Sequence, residues 1–233
     1  MKVVSDEKKI ARNIKITKVT LYASLIVLGL GFVISIGTPN TLPNLIIAII
    51  ILILGYILFR INSGMSIRWG TSPRQDEKLI AALKGLPNEF IFYNYSSPLP
   101  FMLVGPSGIW LFELVDASGI IYFDEPSLKW KAKKQGGFLR RLLSSSQVGD
   151  LRKAIKLVDE KWEKFKIANP TLENLPTPNE MMVLLNPDTE IDGKDPEMEL
   201  VRIDKVKDQI RKLKNFSSTE LVEIQKLEEV LPK

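Results

Sequence analysis

From Val19 to Phe59 the chain carries no charged side chain, and no other feature restricts its possible folds as much. Two runs fill the stretch, Val19–Ile36 and Leu42–Phe59, each built mainly of Leu, Ile, Val, Ala, Gly and Phe. The hydrocarbon core of a bilayer needs roughly 20 apolar helical residues, so each run is long enough to cross it. Between them lies Gly37-Thr38-Pro39-Asn40-Thr41, with Pro43 and Asn44 just beyond, a collection of turn-forming residue types. The expectation is a transmembrane helical hairpin over residues 19–61, with spans at about 19–36 and 42–59. A buried core helix of a soluble protein and a cleaved leader fit less well, since a second uncharged run follows the first.

The flanks orient this hairpin. Lys2, Lys8, Lys9, Arg12, Lys15 and Lys18 precede the first run, Arg60, Arg68 and Arg74 follow the second, and the connecting loop has no basic residue. Basic residues are retained on the cytoplasmic side. Residues 1–18 are therefore expected as a basic cytoplasmic N-terminus, with both termini cytoplasmic and the protein multi-pass in the plasma membrane. Tyr22, Tyr56 and Trp69 are candidate interfacial anchors, and Gly29, Gly31 and Gly55 would let the helices approach closely. Neither run holds an ionisable acid or base, which leaves no proton relay or charged pathway to propose.

The composition removes several chemistries. The chain has no Cys and no His, which excludes disulfides, a thiol nucleophile, cysteine- or histidine-ligated metals and a Ser-His-Asp triad. Its net charge is +5 and its pI about 9.2, but the positive charge is concentrated at residues 1–18, 60–75 and 129–141. There is no Walker-type loop, dinucleotide glycine motif, EF-hand or internal repeat.

From Pro73 onward the pattern becomes that of a compact α/β domain. Gln75–Lys84 has helical spacing and ends at Gly85-Leu86-Pro87; Phe90–Tyr95, Phe101–Val104 and Ile109–Leu114 are strand-like, with Gly105-Pro106-Ser107-Gly108 turning between the last two. Gly119–Phe123 reads as a further strand, followed by a turn at Pro126 and Trp130. A long amphipathic helix is predicted over about 147–166, a buried strand over Met181–Leu185, and helices over 203–214 and 218–230. This order predicts a mixed β-sheet flanked by helices, giving a fold class of transmembrane α-helical hairpin plus cytoplasmic α/β domain.

Several of these residues carry a family resemblance. They are Asp76-Glu77 at a helix start, Leu83-Lys84-Gly85-Leu86-Pro87 at its end, the run from Val104-Gly105-Pro106-Ser107-Gly108 through Ile109-Trp110-Leu111-Phe112-Glu113, then Gly119-Ile120 and Trp130. The stretch from Gly70 to about Lys166 resembles the nuclease-related domain (NERD) family, whose members have a restriction-endonuclease-like core. The resemblance implies a NERD-like domain over 70–215, followed by a C-terminal helix at 216–233. It further implies carboxylates converging on Mg²⁺ and a lysine that positions water. Glu77, or Asp76 if the register shifts by one, and Glu113 stand where two of the carboxylates would be. The chain departs at two positions: Pro100 takes the place of an aspartate and Val115 the place of the lysine.

The expected function is accordingly a membrane-anchored, catalytically degenerate NERD-like domain that binds or scaffolds and needs no cofactor. One alternative is a metal-dependent nuclease, using Mg²⁺, tethered at the inner face of the membrane. A further alternative is a small accessory subunit of a membrane complex whose protein partner the sequence does not name. Outside catalysis, Glu113 reads as a strand-end carboxylate and Glu77 as an acid favoured by the helix dipole. The expected partner of residues 19–59 is the lipid bilayer. Lys129, Lys131, Lys133, Lys134, Arg140 and Arg141, interleaved with Trp130, Phe138, Leu139, Leu142 and Leu143, fit anionic lipid head groups, nucleic acid or a solvated loop. Ser144-Ser145-Ser146 reads as a cap or turn before the long helix.

The absence of cysteine makes the orientation directly testable. A cysteine introduced as Thr41→Cys is expected to react with a membrane-impermeant maleimide on intact cells, and Glu125→Cys only after permeabilisation. The reverse pattern would invert the hairpin.

Overall fold

The computed structural model describes residues 1–37, 39, 41–117, 119–133, 150–195, 199–212 and 218–232. These form two compact units, one of residues 7–74 and one that combines residues 1–6 with 75–233.

The first unit is a pair of helices, α1 (Glu7–Gly37) and α2 (Leu42–Trp69). Both are longer than the apolar runs. Residues 7–18 and 60–69 remain helical because their charged and polar side chains suit a solvated helix as well as apolar ones suit a bilayer. Pro43 sits in the first turn of α2, where its missing N–H costs nothing, and the Asn44 amide donates to the Pro39 carbonyl at 3.1 Å.

Buried positions recur at intervals of seven: Ile10, Thr17, Ser24 and Gly31 on α1, and Ala48, Gly55 and Asn62 on α2. Seven residues fall slightly short of two turns of an ideal helix, so such a seam stays in contact through a left-handed supercoil. Apart from Ile10 and Asn62, the seam residues are small, which brings the two backbones close. A Cβ on Gly31 would lie 2.9 Å from the Leu52 side chain, and one on Gly55 would lie 2.8 Å from the Leu28 side chain and 3.0 Å from its backbone nitrogen. The seam hydroxyls are satisfied within α1, Thr17 donating to the Asn13 carbonyl and Ser24 to that of Leu21. Away from the seam, Ile26, Phe32, Val33 and Ile36 are more than 60% exposed. Both helices are long and apolar enough to cross a membrane, and their apolar surface faces outward instead of into a core.

The second unit is built on a six-stranded mixed sheet of order β1-β2-β3-β4-β7-β9. Its strands are β1 (Lys2–Ser5), β2 (Ile91–Asn94), β3 (Phe101–Gly105), β4 (Gly108–Val115), β7 (Asn179–Leu184) and β9 (Leu200–Arg202). β2, β3 and β4 form an antiparallel meander, while β1 joins β2, β7 joins β4 and β9 joins β7 in parallel. The β3–β4 turn pairs Gly105 with Gly108, and Gly108 has φ +124°. Gly105 is required by space: a Cβ there would lie 2.3 Å from the Phe90 ring. A second sheet, β6-β5-β8, is formed by β5 (Ile120–Asp124), β6 (Lys129–Lys133) and β8 (Glu190–Asp192).

Helices cover both faces of the large sheet. α4 (Leu151–Ala168) and α6 (Ser218–Val230) bring Trp162, Ile224 and Leu227 onto Tyr93, Met102, Val104, Ile109 and Leu111. Asn94, which alternates with Tyr93, faces the opposite side and bonds to α3 (Gln75–Leu83). α5 (Val206–Lys212) adjoins α3, with Lys207 and Arg211 donating to the carbonyls of Lys84 and Gly85. The smaller sheet packs on the C-terminal ends of β4 and β7, where Ile121, Trp130, Leu151, Val115 and Leu184 share a core.

The mixed sheet flanked by helices is as expected from the sequence. Residues 1–18, expected as one basic segment, instead divide at Asp6: Lys2–Ser5 complete the large sheet, and Glu7 onward belongs to α1. The terminal helix is continuous with the α/β core, since Leu227 and Leu231 are buried in it. The long helix begins at Leu151 behind an Asp150 cap whose carboxylate accepts from the Lys153 N–H. Ser144-Ser145-Ser146, expected as the cap or turn there, lies outside the described residues.

The seam predicts a pair of contrasting variants. Gly55→Leu, which overpacks against Leu28, is expected to destabilise the helix pair by about 1–3 kcal/mol, read as a lower thermal midpoint of helicity in detergent. Gly29→Leu, with nothing within 4 Å of its Cβ position, is expected to leave that midpoint in place.

Candidate functional site

The residues singled out by resemblance lie on two sides of the large sheet. On β4, Phe112 tilts against Phe92 on the α3 face, with ring centroids 6.4 Å apart. Its neighbour Glu113 therefore turns to the α4 face, flanked there by buried Leu111 and Val115. Glu113 is half-buried and pairs in register with Met182 of β7. Glu77 sits on α3 and lines a hollow of about 400 Å³ with Met1, Val3, Ile80, Ala81, Lys84 and Gly85. The sheet thus separates the two carboxylates, and Val115, at the position of the expected lysine, is buried in the core shared with the small sheet.

Asp76 has a different environment. It is fully buried, and the Asn94 amide donates both to its carboxylate at 3.1 Å and to the Ser5 hydroxyl at 3.3 Å. One side-chain amide thereby joins the end of β1, the end of β2 and the start of α3. A carboxylate in this position accepts hydrogen bonds and holds elements together. Among the described residues, no group of three acidic side chains is arranged to hold a metal ion.

The basic candidates on β6 are partly neutralised. Lys129, Lys131 and Lys133 alternate outward with Trp130 and Ala132 turned inward. Lys129 pairs with Asp150 at 3.1 Å, and Lys131 donates to Asp124, which also accepts from Ser127. The hydrogen bond from Lys131, then that from Ser127, holds the Asp124 carboxyl below its usual range; Lys129 and the Lys153 N–H do the same for Asp150. Lys134, Arg140 and Arg141 lie outside the described residues.

Two charged pairs were not singled out by the sequence reading. Arg152 of α4 meets Asp195 at 3.0 Å, with the Asp195 side chain wholly buried and the guanidinium 5.9 Å from the Phe123 ring centre. Beside it is a cavity of about 370 Å³ lined by Trp130, Ile191, Gly193, Lys194, Asp195, Glu199 and Leu200. The second pair joins Glu180, at the start of β7, to Asp159 of α4. Glu180 as a residue is exposed, but its carboxyl is partly desolvated and hydrogen-bonded to Asp159. That desolvation, then the bond and the charge of Asp159, push its pKa up to about 8. Neither pair has a local sequence signal, because the partners are 43 and 21 positions apart and meet only through the β4–α4–β7 crossover.

Comparison of the chain with known protein families, with curated proteins and with solved structures finds no match.

The Glu180 carboxyl sets a pH dependence. Its folded pKa lies above the unfolded value of 4.5, so its contribution to stability is complete below about pH 4.5 and is lost as pH rises through about 8. Glu180→Gln is expected to flatten that decline in chemical-denaturation midpoints. After discounting for solvent screening, the difference from the parent chain between pH 5 and pH 9 is about 1 kcal/mol.

Proposed function

We propose that this protein is anchored in the plasma membrane by a helical hairpin and carries a cytoplasmic NERD-like α/β unit that binds or scaffolds instead of cutting nucleic acid. The non-catalytic reading rests on one observation: Glu77 and Glu113 belong to opposite faces of the sheet, so no single Mg²⁺ can be shared between them. Val115 and Pro100 at the remaining positions agree with it, since neither can supply a proton or a metal ligand from its side chain.

The hairpin reading is supported by β1. Residues immediately before α1 and those after α2 belong to one sheet, so two helices that cross a bilayer between them must cross in opposite directions. The basic flanks support a cytoplasmic position for the shared side, since basic residues are retained there. A restriction-endonuclease-like relationship for the unit is supported by the Val104–Glu113 turn and strand and by the mixed sheet around β4.

The test uses the full chain in detergent, since β1 is part of the sheet and a domain cut at the second helix would lack it. With Mg²⁺ or Mn²⁺ present, labelled DNA and RNA are expected to remain intact, and Glu113→Ala to behave as the parent. Cleavage by the parent chain that Glu113→Ala abolishes would replace this reading with that of a membrane-tethered nuclease.

A further inference from the structure

The positive charge of Arg12, Lys15 and Lys18 on α1 differs from that of Lys129 and Lys131 on β6, which face carboxylates. No Asp or Glu occurs between Lys8 and Gln75, and Glu7 is the one acid of α1. Lys8, Arg12 and Lys15 are spaced four and three residues apart, which places them on one helical face. At 100° per residue that face points away from the Ile10–Thr17 seam, and all three side chains are exposed, as are Lys18 and Arg60. On β6, by contrast, Lys129 and Lys131 are engaged by Asp150 and Asp124.

We propose that the outer face of α1 around Arg12, Lys15 and Lys18 is a binding surface for the head groups of anionic phospholipids, and that it, not the basic strand β6, supplies the protein's contact with negative lipid. This rests on the hairpin reading above. With a rise of 1.5 Å per residue, Lys18 and Lys15 lie within about 6 Å of Val19 along the helix axis and Arg12 about 10 Å from it. The polar layer on each side of a bilayer is about 5–8 Å deep. Lys15 and Lys18 are therefore inside it, and Arg12, by bending its apolar stem toward the bilayer, reaches its outer edge. Lys8, about 16 Å out, stands beyond it. Phosphate oxygens accept from all three cationic side chains, and with no Asp or Glu in the sequence between Lys8 and Gln75 they suit the role of counter-charge.

The test reconstitutes the full chain in bilayers of equal parts phosphatidylcholine and phosphatidylglycerol, then counts the lipids retained on gentle extraction by native mass spectrometry. Resistance of the same vesicles to alkaline carbonate reports insertion separately. The parent chain is expected to retain phosphatidylglycerol preferentially. The triple change Arg12→Gln, Lys15→Gln, Lys18→Gln is expected to reduce that preference on the order of tenfold. The charge-preserving change Arg12→Lys, Lys15→Arg, Lys18→Arg is expected to keep it, as is Lys129→Gln with Lys131→Gln and Lys133→Gln. An inserted protein that retains both lipids equally, or one whose preference follows the β6 changes, overturns the inference. Removal by carbonate instead overturns the hairpin reading on which it rests.

Discussion

The backbone pairing of Lys2–Ser5 with Ile91–Asn94 is the contact on which the arrangement of the chain depends. It begins with the Lys2 N–H donating to the Phe90 carbonyl at 2.8 Å and ends with the Asp6 N–H on the Asn94 carbonyl at 3.1 Å. Between these paired segments the chain leaves the α/β unit, forms two long apolar helices, and returns. A four-residue parallel strand at a sheet edge is a weak element by itself. Here it is reinforced by the buried Asn94 amide, which bonds Ser5 and Asp76 together, so that strand, neighbouring strand and helix depend on one polar cluster. Closing so large a loop costs little more than closing a shorter one, because the entropy grows only with the logarithm of length.

Within the helical unit a different constraint operates. A bilayer, which both helices are long and apolar enough to cross, would provide no hydrophobic drive to bring them together, and association there would rely on close packing. The seven-residue seam with small side chains at Thr17, Ser24, Gly31, Ala48 and Gly55 meets that requirement, and the same seam continues past the apolar runs through Ile10 and Asn62. Helical order thus extends beyond the part suited to hydrocarbon, carrying the basic residues on a regular scaffold instead of a loose tail.

Charge is used in three ways in this molecule. At Lys129 and Lys131 of β6 it is balanced at the surface by nearby carboxylates, which contributes little to stability. At Arg152 and Asp195 it is balanced where the carboxylate is wholly buried, so that the guanidinium offsets part of the cost of removing that carboxylate from water. On the outer face of α1 it is left unbalanced, and this is the region that an anionic surface could neutralise.

Much of the architecture was legible from residue types acting over short distances. The uncharged stretch from Val19 to Phe59 defined two helices, Leu79 and Leu83 a core-facing helix, and Gly105-Pro106-Ser107-Gly108 a turn between strands, because hydrophobic period and glycine space are local properties. β1, β8 and β9 were not legible: three or four residues carry too little periodicity to separate a strand from a loop, and only pairing with a distant neighbour makes them strands. The candidate site divides along the same line. Sequence located Glu77 and Glu113 and noted Val115 and Pro100, but the alternation of side chains along β4 and the side on which α3 packs decided that the two acids do not meet. The Asp159–Glu180 and Arg152–Asp195 pairs likewise exist only because the crossover lays α4 over the sheet, so that charge proximity there is a property of the tertiary fold.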